Sequence, residues 1–439
     1  MAHIAHSIRD LAVTALEQHA ASRILRDLYE KSQKALLPNL TVSQFADMFA
    51  QTLVYGLFVA RHTYNGTLPF SRQCAVSIIS STDPFLNMLF DMITGVDQDN
   101  DPLIKAVDDL AQLLAQTDIH TVMTEFEALL HFYEMFLAQY NPQLRASRGV
   151  YYTPQPVVSY IVRSVDLLLQ SRFDCEDGLA DVSTIPYIHI NERGKALREY
   201  RPRVVVLDPA CGTGAFLHGV IDHIRDVYRQ TGNIAAWQEF VRDHLLPGLF
   251  GFELLIAPYV IAHLNLDMQL AGLDLPESER SKWAYDFKKG KWPGIYLTNT
   301  LEEIFQRGEE TLGRAILNGI NEAAPEKEGY PVLVVLGNPP YAGHSTNKGK
   351  WITRLIETYK EECPELKKPA QAKWLSDDYV KFIRFAQWHI ERTGHGILAF
   401  ITNHSYLDNP TFRGMRRSLL QCFDEIYILD LHGNSKKKE

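Results

Sequence analysis

What the chain has little of narrows its class first. It holds five cysteines in 439 residues (Cys74, Cys175, Cys211, Cys363 and Cys422), and no two form a CxxC pair. That scatter argues against a disulfide scaffold and a zinc ribbon, and it fits a reducing compartment. No stretch approaches the ~18 uninterrupted apolar residues of a membrane span. Met1 to Asp10 lack the cationic-then-apolar layout of a signal peptide. A cytoplasmic protein with no membrane partner is therefore expected. Positive charge is not in excess either, since the formal net charge is -9. A chain-wide basic surface for nucleic acid is excluded, but a local groove is not, because only the groove meets phosphates. The nearest match to a P-loop ends at Gly349-Lys350. It has His344 where glycine is required and Trp351 where Ser or Thr is, so no ATPase is expected. Asp97, Asp99 and Asp101 open like a calcium loop, but Pro102 and Asp108 stand where Gly and Glu are needed. They read as an acidic loop, and no metal is expected. Neither internal repeats nor long low-complexity tracts occur. Lys436-Lys437-Lys438 reads as a solvated tail.

The composition, 46% hydrophobic and 22% charged, is that of a folded chain. Its length suits about two to three domains. Residues 1–145 read as helical. Thr41 and Gln44 match a capping box, and the apolar stretch from Phe45 to Ala60 follows as a buried helix. Phe126, Leu129, Leu130, Tyr133, Phe136, Leu137 and Tyr140 recur at helical spacing, as a core stripe does. From residue 146 to 439 the pattern alternates. Strand-length apolar runs lie at Val204–Leu207, Leu249–Phe252, Val332–Leu336, Ile397–Thr402 and Ile426–Leu429. Helical stretches such as Phe216–Tyr228 and Tyr379–Arg392 separate them. Continuous apolar strands alternating with helices predict an α/β fold with a parallel sheet covered on both faces. Ligands then bind beyond the carboxyl ends of the strands.

Those strand ends carry the chemistry. "VVVL" runs into "DPACGTGAFL" (residues 208–217). Gly212 and Gly214 remove side chains where the backbone turns and a ligand approaches. The ten-residue string, not the pair of glycines, is the specific signal. "FGFELL" puts Glu253 at the second strand end, where a carboxylate can accept both hydroxyls of a ribose. "YLTNTL" (296–301) reads as a third strand end, with Asn299 able to meet an adenine edge. The fourth is "VVLGNPPYAG" (334–343). Prolines cannot donate to a sheet ladder, so the strand stops there. With S-adenosylmethionine as ligand, such a tip suits methyl transfer to an exocyclic amine, whose lone pair is delocalised into its ring. Two acceptors on the amine's hydrogens localise that lone pair. Asn338 supplies a side-chain carbonyl and Pro339 a backbone carbonyl. Pro339 and Pro340 hold them rigidly, so little ordering remains for the moment of reaction. Tyr341 offers a ring on which an extruded base can stack.

Together these strings resemble the N6-adenine DNA methyltransferases. "RGVYYTP" (148–154) is similar to the family's N-terminal cofactor motif, "DPACGTGAFL" to its glycine-rich motif and "NPPY" (338–341) to its catalytic motif. Their order is that of the gamma group. "FADMFAQTLVYGLF", "HFYEMFLAQYNPQLRASRGVYYTP" and "FITNHSYLDNPTFRGMRR" resemble the large type ISP restriction–modification polypeptides over residues 40–439. The resemblance implies a Rossmann-like S-adenosylmethionine-dependent sheet over residues 146–439, preceded by an all-helical, coupler-like domain over 1–145. It implies S-adenosylmethionine as cofactor and S-adenosylhomocysteine as product. Thr153 would contact the methionine carboxylate. Asp208, Ala210, Gly212 and Gly214 would line the methionyl moiety, Glu253 would hold the ribose, and Asn299 would sit near the cofactor's adenine. Asn338, Pro339, Pro340 and Tyr341 would hold the target base. The expected partners are double-stranded DNA with a flipped adenine and a separate or downstream recognition or restriction polypeptide, because the family's target-recognition domain is expected to lie outside this chain. Arg145, Arg148, Lys348, Lys350, Arg413, Arg416 and Arg417 are candidate DNA contacts. Two alternatives stay open: a non-catalytic or partner-dependent fragment of such a system, and a protein-glutamine methyltransferase, which also uses an NPPY tip.

Overall fold

The computed structural model describes residues 1–18, 23–35, 40–64, 66–79, 101–118, 127–142, 153–190, 196–287, 293–302, 332–341, 345, 347–361, 363–368 and 372–432. Its described strands form a two-stranded hairpin and a five-stranded sheet. Thr184–Ile190 (β1) and Ala196–Pro202 (β2) pair as an antiparallel hairpin. β2 leads directly into Val204–Asp208 (β3), the first of the wholly apolar runs. Leu249–Glu253 (β4), Gly294–Leu297 (β5), Val332–Gly337 (β6) and Gly396–Phe400 (β7) complete the set.

β3 to β7 form a five-stranded sheet in the order β5-β4-β3-β6-β7, parallel throughout. Successive side chains of a strand face opposite sides. Val204, Val206, Val334 and Leu336 accordingly pack against helices Gln155–Arg172, Ala215–Gln230 and Ile256–Leu270. Val205, Leu207, Leu333 and Val335 pack on the other side with Phe382, Phe385 and Ala386 of helix Asp378–Thr393. Both faces are covered, as the continuous apolar runs predict, and the arrangement is Rossmann-like.

Every regular element among the described residues before 142 is a helix. Helix Val42–Thr63 begins with the expected capping box. Thr41 Oγ1 accepts from the Gln44 N–H and Gln44 Oε1 from the Thr41 N–H. From Phe45 to Ala60 every residue but Asp47 is buried. Helix Glu127–Tyr140 carries the expected aromatic stripe, with Tyr133, Phe136, Leu137 and Tyr140 buried. These helices share one apolar cluster with Ala257, Val260, Ile261, Leu264 and Met268 of the helix after β4. Asp101 caps helix Pro102–Gln116 by accepting from the Leu103 N–H, while Asp97 and Asp99 lie outside the described residues.

One strand expectation fails. Ile426–Leu429 forms no strand, and these four side chains are 45%, 69%, 58% and 58% exposed. Apolar alternation alone does not make a strand. The backbone also needs a neighbour's ladder groups, and no described strand pairs with this segment. It is instead tied down by Glu425, which binds Arg172 and the Tyr427 hydroxyl. Lys436–Lys438 lie outside the described residues.

Candidate active site

The strand order reverses between β3 and β6, and this is where an open α/β sheet forms its crevice. Asp208 ends β3 and is 1% exposed. Its Oδ1 accepts the Ala210 N–H at 3.0 Å. The neighbouring strand ends on Gly337, which has φ of +149°. A Cβ there would lie 2.5 Å from Asp208 Oδ1. Only glycine lets the two strand tips meet so closely. Burial, with the Glu253 carboxylate nearby adding to it and the Ala210 N–H opposing, pushes the Asp208 carboxyl up to about 8.

The turn after β3 is held from the next strand. Gly212 and Gly214 have φ of +56° and +90°, conformations that a side chain would strain. The Cys211 N–H donates to the Phe252 carbonyl at 2.9 Å. Glu253 accepts the Gly212 N–H on Oε2 at 2.9 Å and the Leu255 N–H on Oε1 at 2.7 Å. Glu253 is therefore a clasp on the glycine turn, a role its strand-end position did not reveal. Burial raises its pKa, opposed by these backbone donors. Nothing lies within 4 Å of where a Gly212 side chain would stand, so the turn opens on free space.

The tip after β6 is equally defined. Asn338 Nδ2 donates to Thr153 Oγ1 at 3.0 Å. Its Oδ1 is buried and has no hydrogen-bond partner among the described residues. Thr153 is buried, just before helix Gln155–Arg172, so two segments 185 residues apart meet through this bond. Pro339 is buried and Pro340 half-buried. Tyr341 is half-buried against Ile356, Tyr359, Tyr379 and their neighbours.

Beyond the tip, Lys381 is 4% exposed and donates to Ser345 Oγ and to the Asn347 carbonyl. Asn347 Nδ2 donates to Asp378 Oδ1 at 3.2 Å. Asn299 Nδ2 donates to Asn347 Oδ1 at 3.0 Å and to Glu302 Oε1 at 3.1 Å, and its Oδ1 accepts the Leu301 N–H. Asn299 thus stands two residues past β5 with its amide engaged, and it links the β5 loop to the segment after the NPPY tip.

Family models match two overlapping regions. Residues 125–281 match the N-6 DNA Methylase model, and residues 258–436 match the Eco57I restriction-modification methylase model. The chain belongs to the N6-adenine DNA methyltransferases. Both motif-bearing strand tips fall inside the matched regions: Asp208 to Gly214 in the first, Asn338 to Tyr341 in the second. Solved structures similar to this methyltransferase include a DrdV–DNA complex (TM-score 0.59, 22% identity, 97% of this chain and 36% of that one). A nuclease-deletion mutant of the type ISP enzyme LlaGI with a DNA substrate mimic aligns with TM-score 0.51 at 19% identity, over 95% of this chain and 35% of that one. The ATP-dependent type ISP enzyme LlaBIII bound to DNA gives TM-score 0.54 at 19% identity, over 95% and 26%. At these identities the likeness is one of fold. The chain spans about a third of the length of the first two of these proteins and about a quarter of the third. A comparison with curated protein sequences finds no match.

The expected site residues fall into two groups around the β3–β6 crevice of the methyltransferase. Thr153 with Asn338, and Asp208 with Gly337 and Ala210, mark the two strand tips, while Glu253 holds Gly212 of the turn between Asp208 and Gly214. Arg145, Arg148, Tyr151 and Tyr152 lie outside the described residues. Lys348 and Lys350 are exposed. Arg413 pairs with Glu365 at 2.7 Å, and Arg416 spends Nη1 on the Tyr406 and Asn409 carbonyls. His218, Asp222 and Asp274 bring potential metal-ligand atoms within 4.8 Å of one another. Arg225 already lies between both carboxylates and neutralises them.

Sequence reading missed two site residues. Asn265 Nδ2 donates to the Thr213 carbonyl in the glycine turn at 2.9 Å, and Lys381 anchors the segment after the tip. A signal for the first was present: His263, Asn265, Asp267 and Gln269 alternate through an otherwise apolar buried helix. Among the described residues, no helix is long and apolar enough to cross a membrane.

Proposed function

We propose that this chain is the catalytic region of a site-specific DNA methyltransferase that transfers the methyl group of S-adenosylmethionine to N6 of adenine, within a restriction–modification or phage-defence system of the bacterial or archaeal cytoplasm. The buried Asn338 Oδ1 without a partner carries the reading. A buried carbonyl left unpaired costs about 1–3 kcal/mol, so the site is poised for an incoming donor. The N6 amine of an extruded adenine is such a donor.

The residues fit the cofactor. The open side of Gly212 makes room for it, and the buried Asp208 and Glu253 carboxylates complement its positive charge and its hydroxyls. When bound, the cofactor supplies an electrophilic methyl group on a cationic sulfur. Thr153 accepts from Asn338 and can still donate its own proton to the methionine carboxylate. Asp208, Ala210, Gly212 and Gly214 line the methionyl end. Glu253 has lone pairs left for the ribose after its two backbone bonds. Asn299 stands beside the adenine end.

Asn338 Oδ1 and the Pro339 carbonyl each accept one N6 hydrogen, which pulls the amine towards a tetrahedral shape. Its nitrogen then forms the bond to the methyl carbon as the carbon–sulfur bond breaks, and S-adenosylhomocysteine leaves. The extra proton departs to water afterwards, so no side-chain base is required. Tyr341 stacks on the base, worth ~1–3 kcal/mol by analogy with single-strand binders. Extrusion is required because a duplex hides the amino group. Residues 1–145 act as a coupler-like helical region and 146–439 as the catalytic region.

The test is transfer of radiolabel from S-adenosylmethionine to DNA, with digestion to nucleosides. Label in N6-methyladenosine supports the reading. Label on protein alone overturns it in favour of a protein amide.

A further inference from the structure

The glycine turn is held by a side chain from the helix that follows β4. Thr213 sits between the two glycines of positive φ, the second of which, Gly214, is the N-cap of helix Ala215–Gln230. Asn265, 0% exposed, donates Nδ2 to that carbonyl at 2.9 Å. With its NH₂ committed there, Oδ1 faces the N-terminal helices. Tyr55 of helix Val42–Thr63, also 0% exposed, donates its hydroxyl to that Oδ1 at 2.8 Å. One turn earlier on the same helix, Gln51 accepts from the Tyr133 hydroxyl at 2.8 Å, and the Tyr133 ring stands edge-on to Tyr55. A polar strip thus crosses a core whose other members are almost all apolar.

Buried polar groups are costly unless every member is satisfied. Structural packing of these helices needs no such strip, since Phe45, Phe49, Leu53 and Leu57 already fill the interface. The strip ends on the loop that opens towards the crevice. On its opposite side Glu253 holds the Gly212 N–H. The turn is therefore gripped at two adjacent residues, Gly212 by a strand-end carboxylate and Thr213 by the N-terminal helices through Asn265.

We infer that Tyr55 and Asn265 are positioning residues for the cofactor: the Tyr55–Asn265–Thr213 relay fixes the shape of the glycine turn and makes the N-terminal helical region part of the cofactor site. This rests on the reading of the crevice as an S-adenosylmethionine site. Without the Tyr55 hydroxyl, Asn265 Oδ1 is left buried and unsatisfied. The amide then loses its reason to face Thr213, and the turn loosens.

Calorimetry, kinetics and hydrogen exchange on the full chain test it. Tyr55→Phe keeps the ring and its packing. Calorimetry with S-adenosylhomocysteine is expected to show binding weakened about fivefold to thirtyfold. The KM for S-adenosylmethionine should rise while kcat and DNA affinity hold, a split that general loosening of the fold would not give. Asn265→Asp, which keeps the Tyr55 partner but turns a carboxylate on the Thr213 carbonyl, should weaken binding at least as much. In a double-mutant cycle, Tyr55→Phe should add nothing on an Asn265→Ala background. Hydrogen exchange in the ligand-free protein should speed up in the peptide spanning residues 208–217 and not in the sheet. Wild-type exchange in that peptide, wild-type S-adenosylhomocysteine affinity, or additive effects in the cycle would each overturn the relay. A wild-type protein that binds no S-adenosylhomocysteine would overturn the cofactor reading instead, and the exchange result would still decide whether the relay orders the turn.

Discussion

Replacing Asn338 with alanine separates catalysis from stability. In the ligand-free protein the amide is held at one end by the Thr153 hydroxyl at 3.0 Å and is unpaired at the other, buried end. The unpaired carbonyl carries a desolvation penalty of about 1–3 kcal/mol, while the Thr153 bond contributes about 0.5–1.5 kcal/mol. Alanine removes both, so the folded state should change by less than about 1 kcal/mol and not necessarily for the worse. Catalysis behaves differently. The lost acceptor is one whose bond strengthens as charge develops on the amine nitrogen. Removing one preorganised partner of that kind costs about 10²–10³ in kcat, or about 2.7–4 kcal/mol. Cofactor affinity should hold, because Asn338 meets the base. Asn338→Asp retains an acceptor and should keep more activity than alanine.

The assay is single-turnover transfer of tritiated methyl groups to DNA, alongside urea denaturation and calorimetry with S-adenosylhomocysteine. A transfer rate within threefold of wild type would refute the reasoning. So would a rate loss matched by an equal loss of folded protein, since Asn338 would then be structural. Activity loss without stability loss is the expected mark of a group held in an unfavourable state for function.

Three further outcomes follow from the same geometry. Thr153→Val should lower kcat about tenfold or more and also raise the KM for S-adenosylmethionine, because one hydroxyl serves both Asn338 and the cofactor; Thr153→Ser should restore both, and a change in KM alone would deny the bond to Asn338. The Asp208 carboxyl, raised to about 8 by burial, binds a proton in the folded protein that the unfolded chain has released. Stability should therefore fall as pH rises from about 4 to about 8, and Asp208→Asn should flatten that slope in denaturation curves. Binding the cationic cofactor should lower this pKa and release protons near pH 7, measurable by calorimetry in buffers of different ionisation enthalpy; absence of proton release would place the cation elsewhere. Arg225→Met leaves Asp222 and the buried Asp274 without their cation, costing about 3–5 kcal/mol by urea denaturation at neutral pH, a deficit that should shrink as acid protonates the carboxylates. An unchanged midpoint would show that the pair contributes nothing.

Much of the fold was legible because the sheet is buried on both faces. A run with apolar residues at every position, such as Val204 to Leu207 or Leu333 to Leu336, suits a central parallel strand, and each of these two runs is one. The β1–β2 hairpin was not legible, because His189, Arg198, Glu199 and Arg201 break the apolar pattern in its two strands. Ile426–Leu429 misled in the opposite sense, having the composition of a strand without a neighbour to pair with. In the site, the motifs named the residues at each strand tip but not how the tips join. Nothing in "NPPY" says that Asn338 leans on Thr153, or that Gly337 makes room for Asp208.

The residues that motif reading missed share a physical reason. Asn265, Tyr55 and Lys381 are polar or charged groups inside apolar helices, and each acts across a packing interface. Their partners lie 52, 210 and 34 residues away. A strand tip advertises itself locally, because glycine and proline must stand where the backbone turns. A brace does not, since any helix of the right register can supply it. What betrays a brace is its energetic oddity. A tyrosine hydroxyl and an asparagine amide in a core of Phe, Leu and Val are tolerated only when they satisfy each other and a third group. Here that third group is the Thr213 carbonyl. The polar residues least at home in the N-terminal core are thus the ones that reach the glycine turn.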